Sequence, residues 1–199
     1  MSVPDIPLAI IGPTAAGKSA LAMAIAAVDD RVELISADSM QVYRGMDIGT
    51  AKPSLDEQAA VPHHLIDILD PWDAYTVSQF VVDVDRVTAD IRSRGKIPVM
   101  VGGTGLYVRS IVDDMEIPPQ FPDVKAELEA DPDTDGMYRR LAELDPVGAD
   151  RMDSNNRRRV IRALEVTVGS GRPFSSFGPG MDRYKPSRVN QIACDRPRP

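Results

Sequence analysis

Short apolar runs alternate along the first half of the chain with longer stretches whose apolar residues recur at helical spacing. Ile6 to Ile11 is an apolar run closed by Gly12, and Lys18 to Val28 is Ala-rich with helical spacing, so the opening reads strand, glycine loop, helix. Val32 to Ser36 is a second strand, Leu65 to Ile68 a third, and Ile97 to Val101 another, after the helical stretch Val77 to Ser93. Gly102-Gly103-Thr104-Gly105 ends that strand and starts a helix through Asp113. Strands alternating with helices predict an α/β fold, a parallel doubly wound sheet flanked by helices.

Past Ile117-Pro118-Pro119 the pattern changes. Asp123 to Ala130, Met137 to Leu144 and Asn156 to Val168 are helical, with Pro and Gly breaks and no strand among them. The expected organisation is a catalytic core over 1–117, a small helical insertion domain over 118–180, and a return to the core over 181–199. Val189 to Ala193 reads as the returning strand, and Asp195-Arg196-Pro197-Arg198-Pro199 forms nothing regular.

Composition narrows the class. At 199 residues, 43% hydrophobic and 27% charged, the chain can bury one sizeable core plus a small appended piece. A single cysteine, Cys194, excludes an internal disulfide, and Met1-Ser2-Val3-Pro4-Asp5 has neither the charged leader nor the apolar stretch of a signal peptide. No window reaches the roughly 20 apolar residues of a spanning helix, so no membrane association is expected, and the expected location is cytoplasmic. The net charge of −7 conceals an asymmetry: residues 151–199 carry eleven Lys or Arg against four Asp or Glu. A basic end on an acidic chain points either to nucleic acid or to a solvated tail.

Candidate chemistry begins at Gly12-Pro13-Thr14-Ala15-Ala16-Gly17-Lys18-Ser19, a G-x-x-x-x-G-K-S loop between strand and helix. Its glycines let backbone N–H groups converge on phosphate oxygens at a helix N-terminus, Lys18 adds a point charge, and Ser19 supplies the hydroxyl that sits on Mg²⁺. The sheet is therefore expected to be P-loop NTPase-like. The aspartate that should end an apolar strand in an NTPase is missing, because Ile97 to Val101 runs into Gly102-Gly103-Thr104. Asp38 stands past the second strand, at the carboxyl edge where open α/β sheets bind ligands, either as a proton acceptor or as a loop cap. Gln41 has an amide suited to a base edge. Asn156-Arg157-Arg158-Arg159-Val160-Ile161-Arg162 sets four arginines at a helix start, against the macrodipole, which an anionic partner would relieve; the alternative is a solvated face. Lys125 reads as a surface lysine, while His63-His64 are expected to serve structure or substrate-loop packing, and Cys194, Trp72 and the methionines to pack.

Taken in order, Gly12 to Ser19, Asp38-Ser39-Met40-Gln41-Val42-Tyr43-Arg44-Gly45, Gly49-Thr50-Ala51-Lys52-Pro53, Pro62-His63-His64-Leu65 and Gly102-Gly103-Thr104-Gly105-Leu106-Tyr107 closely resemble the tRNA dimethylallyltransferase (tRNA isopentenyltransferase) family. The likeness continues through Asp145-Pro146 and Arg162-Ala163-Leu164-Glu165-Val166. The resemblance implies transfer of a dimethylallyl group from dimethylallyl diphosphate to N6 of adenine 37, next to the anticodon in tRNA, with the P-loop holding diphosphate and Mg²⁺ as cofactor. It implies that Asp38 is the base, that Thr104 contacts substrate at the reaction centre, and that Asp38, Ser39, Met40, Gln41 and Thr104 meet the tRNA. It also places Lys125, Arg158, Arg159, Val160, Ile161 and Arg162 on the anticodon arm, in a protein expected to be monomeric. Family members run on for roughly another hundred residues past Val189, so the resemblance implies a C-terminal truncation. Alternative readings are a small-molecule kinase, an adenylate prenyltransferase, or an inactive truncated tRNA-binding remnant.

Overall fold

The computed structural model describes residues 6–179, 187 and 189–195. The chain divides into two units, one of Met1–Met115 with Lys185–Pro199 and one of Glu116–Tyr184.

The first unit is built on five parallel strands: β1 (Leu8–Ile11), β2 (Val32–Ala37), β3 (His63–His64), β4 (Ile97–Gly102) and β5 (Asn190–Ala193), in the order β3-β2-β4-β1-β5. Every residue of β2 is buried, as expected of a parallel strand covered on both faces. Helix α1 (Lys18–Val28) follows β1, and α3 (Val77–Ser93) precedes β4. Phe80, Val84, Val87 and Ile91 form the buried stripe of α3, and Phe80 stacks at 4.3 Å on Tyr107 of α4 (Gly105–Val112).

The expected strand over Leu65 to Ile68 is absent; β3 lies two residues earlier. Leu65 (φ 61°) and Asp67 (φ 54°) are left-handed, which ends the extended ladder and leaves an isolated bridge between Tyr43 and Leu69. A short helix, α2 (Leu55–Ala60), lies outside the expected elements, and Ser54 and Glu57 form its reciprocal capping box. The expectation for Trp72 also fails: it is 82% exposed in a turn where the Asp70 N–H donates to Asp73.

The second unit is helical: α5 (Pro122–Ala130), α6 (Thr134–Leu144), α7 (Pro146–Asp150), α8 (Arg157–Ser170) and a 3-10 turn at Phe174–Phe177. Leu141, Val160, Ala163 and Leu164 are its fully buried centre. Two buried carboxylates tie its loops. Asp145 accepts from Gly148 N, Ser175 N and Ser175 Oγ at 2.9, 2.7 and 2.6 Å. Glu165 accepts from Phe121 N at 2.8 Å and pairs with Arg162 at 2.9 Å.

Candidate active site and the arginine-rich helix

Strand register brings three loops to one level. Ile11 and Ala37 both stand opposite Gly102, so the P-loop, the Asp38 turn and the Gly103-Thr104 turn leave the sheet side by side. The approach is close: a Cβ on Gly103 would lie 2.7 Å from the Gly12 carbonyl oxygen, and one on Gly12, whose φ is 147°, would lie 2.2 Å from the Cys194 carbonyl oxygen. Left-handed turns at Ala15 (φ 64°) and Gly17 (φ 94°) give the P-loop the curvature of an anion nest. Lys18 Nζ donates to the Pro13 carbonyl at 2.8 Å, laying the ammonium across the loop. The first turn of α1 carries no acidic residue and no side-chain cap, and Ser19 is exposed there, so the positive end of the helix is open to an anion.

A cavity of about 430 Å³ opens at this edge. Thr14, Lys18 and Ser19 line it together with Ser36, Asp38, Met40, Gln41 and the segment Gly49–Ala51, while Ala22, Leu34, Pro53, Ile66 and Val101 supply apolar lining. Asp38 Oδ1 accepts from Met40 N at 2.8 Å and from Gln41 N at 3.4 Å, which fixes the carboxylate at the turn. Thr104 and Ser39 are outside the lining and meet each other: Thr104 Oγ1 accepts from Ser39 N at 3.1 Å and lies 3.4 Å from Ser39 Oγ. Tyr107, one turn along α4, has its phenol pushed up by burial and then by the neighbouring Tyr43 and Asp38.

The Gln41 amide nitrogen donates to the Thr50 and Ala51 carbonyls, both at 3.1 Å, and its amide oxygen accepts from Ser36 Oγ at 2.8 Å, so the group proposed to read a base edge is engaged within the protein. His63 and His64 are tethered too. His63 Nδ1 bonds the Val61 carbonyl, and His64 Nε2 lies 2.7 Å from Glu33, whose carboxyl Arg94 and His64 hold below the usual range against the effect of burial. Lys52 was legible only as part of a matching string. Its ammonium is buried, yet the Asp47 and Asp67 carboxylates outweigh burial and raise its pKa.

Among the described residues no group of three or more His, Cys, Asp or Glu forms a metal cage. Ser19 brings a hydroxyl oxygen to the cavity, a donor of the type that suits Mg²⁺.

On α8 the four arginines separate by role. Arg157 donates to Thr134 Oγ1 and to the carbonyls of Leu128, Glu129 and Asp131, where it compensates the C-terminal end of α5. Arg162 donates to the Pro118 and Pro119 carbonyls. Arg158 and Arg159 are exposed. Val160 (0% exposed) and Ile161 (7%), expected on the anticodon arm, are core residues of this unit. Lys125 is half-exposed and pairs loosely with Glu129 at 3.5 Å.

The family described as IPP transferase matches residues 41–199 of this chain. The chain belongs to the IPP transferase family. It is similar to the tRNA dimethylallyltransferase of Bifidobacterium longum, with 47% identity over 197 residues, 96% of this chain and 60% of that protein. The tRNA dimethylallyltransferase of Methylibium petroleiphilum is 50% identical over 177 residues, 87% of this chain and 54% of that protein. Among solved structures, a eukaryotic dimethylallyltransferase acting on tRNA aligns with a TM-score of 0.77 at 30% identity, over 94% of this chain and 46% of that one. The chain thus spans little more than half the length of these curated relatives. As a member of that family it has the P-loop NTPase-like fold, a parallel sheet flanked by helices. Among the described residues no helix is long and apolar enough to cross a membrane.

Proposed function

We propose that this chain transfers a dimethylallyl group from dimethylallyl diphosphate to N6 of adenine 37 in tRNA, releasing diphosphate. The observation that carries the reading is the pairing of a P-loop with Asp38 around one cavity, where β4 ends in glycines instead of the carboxylate an NTPase uses. The named activities of its relatives support it.

The P-loop amides, Lys18 and the exposed N-terminus of α1 hold the diphosphate. As the allylic C–O bond breaks, its electron pair stays on the diphosphate, where these fixed positive groups stabilise the growing charge. The N6 lone pair forms the new C–N bond, and the N6 proton then passes to the Asp38 carboxylate. That amine becomes acidic only as it bonds to carbon, so an ordinary carboxylate suffices as base. Ser19 is the residue that would hold Mg²⁺, which when bound would neutralise the leaving diphosphate. Thr104 acts at the reaction centre by holding the Asp38 turn through Ser39. The helical unit offers Arg158, Arg159 and Lys125 to the anticodon-arm backbone, while the target base leaves its stack at a cost of a few kcal/mol. A tRNA substrate fits a cytoplasmic location, and we take the working form to be a monomer.

Transfer of labelled dimethylallyl diphosphate to unmodified tRNA with Mg²⁺ is the test, comparing the chain with Asp38→Asn. The asparagine keeps an oxygen for the Met40 and Gln41 amides but accepts no proton, so turnover falls about 10²- to 10⁴-fold while diphosphate binding persists. Full turnover in the variant removes Asp38 as the base. Phosphate transfer from ATP in place of prenyl transfer overturns the function itself.

A further inference from the structure

The Lys52 side chain is 4% exposed and stands in a segment whose neighbours Gly49, Thr50, Ala51 and Pro53 line the cavity, although Lys52 does not. A lysine on a loop between glycine and proline is ordinarily solvated. This one donates to Asp47 Oδ1 at 2.6 Å, to Asp67 Oδ1 at 2.6 Å and to the Tyr43 carbonyl at 2.9 Å, which uses all three of its N–H groups. Those acceptors belong to two stretches of chain, the Tyr43–Asp47 loop and the loop at Asp67. The same wall is fastened again by Gln41, whose amide holds the Thr50 and Ala51 carbonyls and whose own carbonyl accepts from Asp67 N at 3.1 Å. Ala51, Leu65 and Asp67 all have positive φ, a conformation such residues keep only when surrounding contacts impose it. The clasp lies where that imposition is needed.

We infer that Lys52 is a positioning residue: its ammonium ties the Asp47 and Asp67 loops to Tyr43, and so sets the cavity wall Gly49–Pro53 against the organic part of the diphosphate ester. The inference rests on reading the cavity as a prenyl diphosphate site. With the diphosphate on the P-loop, the prenyl group is the part of the ligand that meets this wall, so the clasp acts on one half of the ligand only.

The experiment measures, for wild type and Lys52→Met, the Kd of inorganic diphosphate and of dimethylallyl diphosphate by calorimetry with Mg²⁺, beside a thermal unfolding scan. Methionine keeps the apolar stem, and the two carboxylates, 67% and 40% exposed, return to water. Inorganic diphosphate should bind as in wild type, while dimethylallyl diphosphate weakens about tenfold, or about 1.4 kcal/mol. In turnover the loss should appear in KM for the prenyl donor more than in kcat. Unchanged binding of both ligands, or parallel weakening of both, overturns the inference. Wild-type protein that binds neither ligand overturns the functional reading and the inference with it. If the methionine variant does not fold, Asp47→Ala, which removes one acceptor and leaves the Asp67 and Tyr43 bonds in place, must show the same selectivity for the proposal to stand.

Discussion

Replacing Gly103 by alanine tests whether the close approach of the β4 turn to the P-loop sets the site. Gly103 is not among the residues with positive φ, so alanine adopts its backbone conformation without penalty and the whole cost is contact. The new Cβ would stand 2.7 Å from the Gly12 carbonyl oxygen and 3.4 Å from Lys18 Nζ; ordinary contact begins at 3.4 Å, so the gap must open by roughly 0.7 Å. Neither side yields easily, since β1 and β4 are neighbouring strands with Ile11 paired to Gly102 one residue away. Overpacking of this kind costs about 1–3 kcal/mol, which for a chain of this length lowers Tm by about 2–4 °C per kcal/mol. Because the shift separates Lys18 from Asp38 and Thr104, and an ångström of misplacement costs about a hundredfold in rate, kcat should fall about ten- to a hundredfold. Thermal unfolding and single-turnover prenyl transfer read the two effects. Wild-type Tm together with wild-type kcat would refute the reasoning; a lower Tm alone would show that the approach serves stability and not the reaction.

Acid stability should report Glu33, whose side chain is 4% exposed and paired with Arg94 and His64. Its folded-state carboxyl lies below the ordinary range, so its stabilisation is present above the unfolded value of about 4.3 and is lost as pH falls through the folded value. Glu33→Gln should lower stability near neutral pH by about 1–3 kcal/mol, toward the low end because Arg94 is half-exposed, and should flatten the acid-side decline in urea titrations. An acid limb as steep as wild type would assign that decline to other groups. Arg157 and Arg158 should separate in the helical unit. Arg157→Ala leaves carbonyls at the end of α5 without their donor and lowers Tm with an early transition, whereas Arg158→Ala keeps Tm, weakens tRNA binding and reduces the salt slope by about 1. Equal effects of the two on tRNA affinity would contradict this division.

Local order wrote much of this structure into the chain. The helix Lys18 to Val28 and the helix Val77 to Ser93 were legible to the residue, since Ala content, an apolar period of 3.6 and the Thr76 cap act over a few neighbours. The P-loop was legible for the same reason: a glycine pattern between a strand and a helix already implies converging amides. Leu65 to Ile68 misled because its apolar residues say nothing about φ, and the left-handed turns there are imposed by bonds from Gln41 and Val42, more than twenty residues away. Ser54 and Glu57 did carry the signal for the missed helix α2.

Residue types and spacing determined the family, the parallel sheet, the P-loop and the candidate base Asp38, because each is encoded by neighbours in sequence. Only the tertiary structure decided which polar groups remain available. It showed Gln41 engaged with Ser36, Thr50 and Ala51, Arg157 and Arg162 bound to loop carbonyls, Val160 and Ile161 in the core, and Lys52 buried between two carboxylates. The physical reason is that a side chain's hydrogen-bonding capacity is a small fixed number, and folding assigns it among partners far apart in the chain.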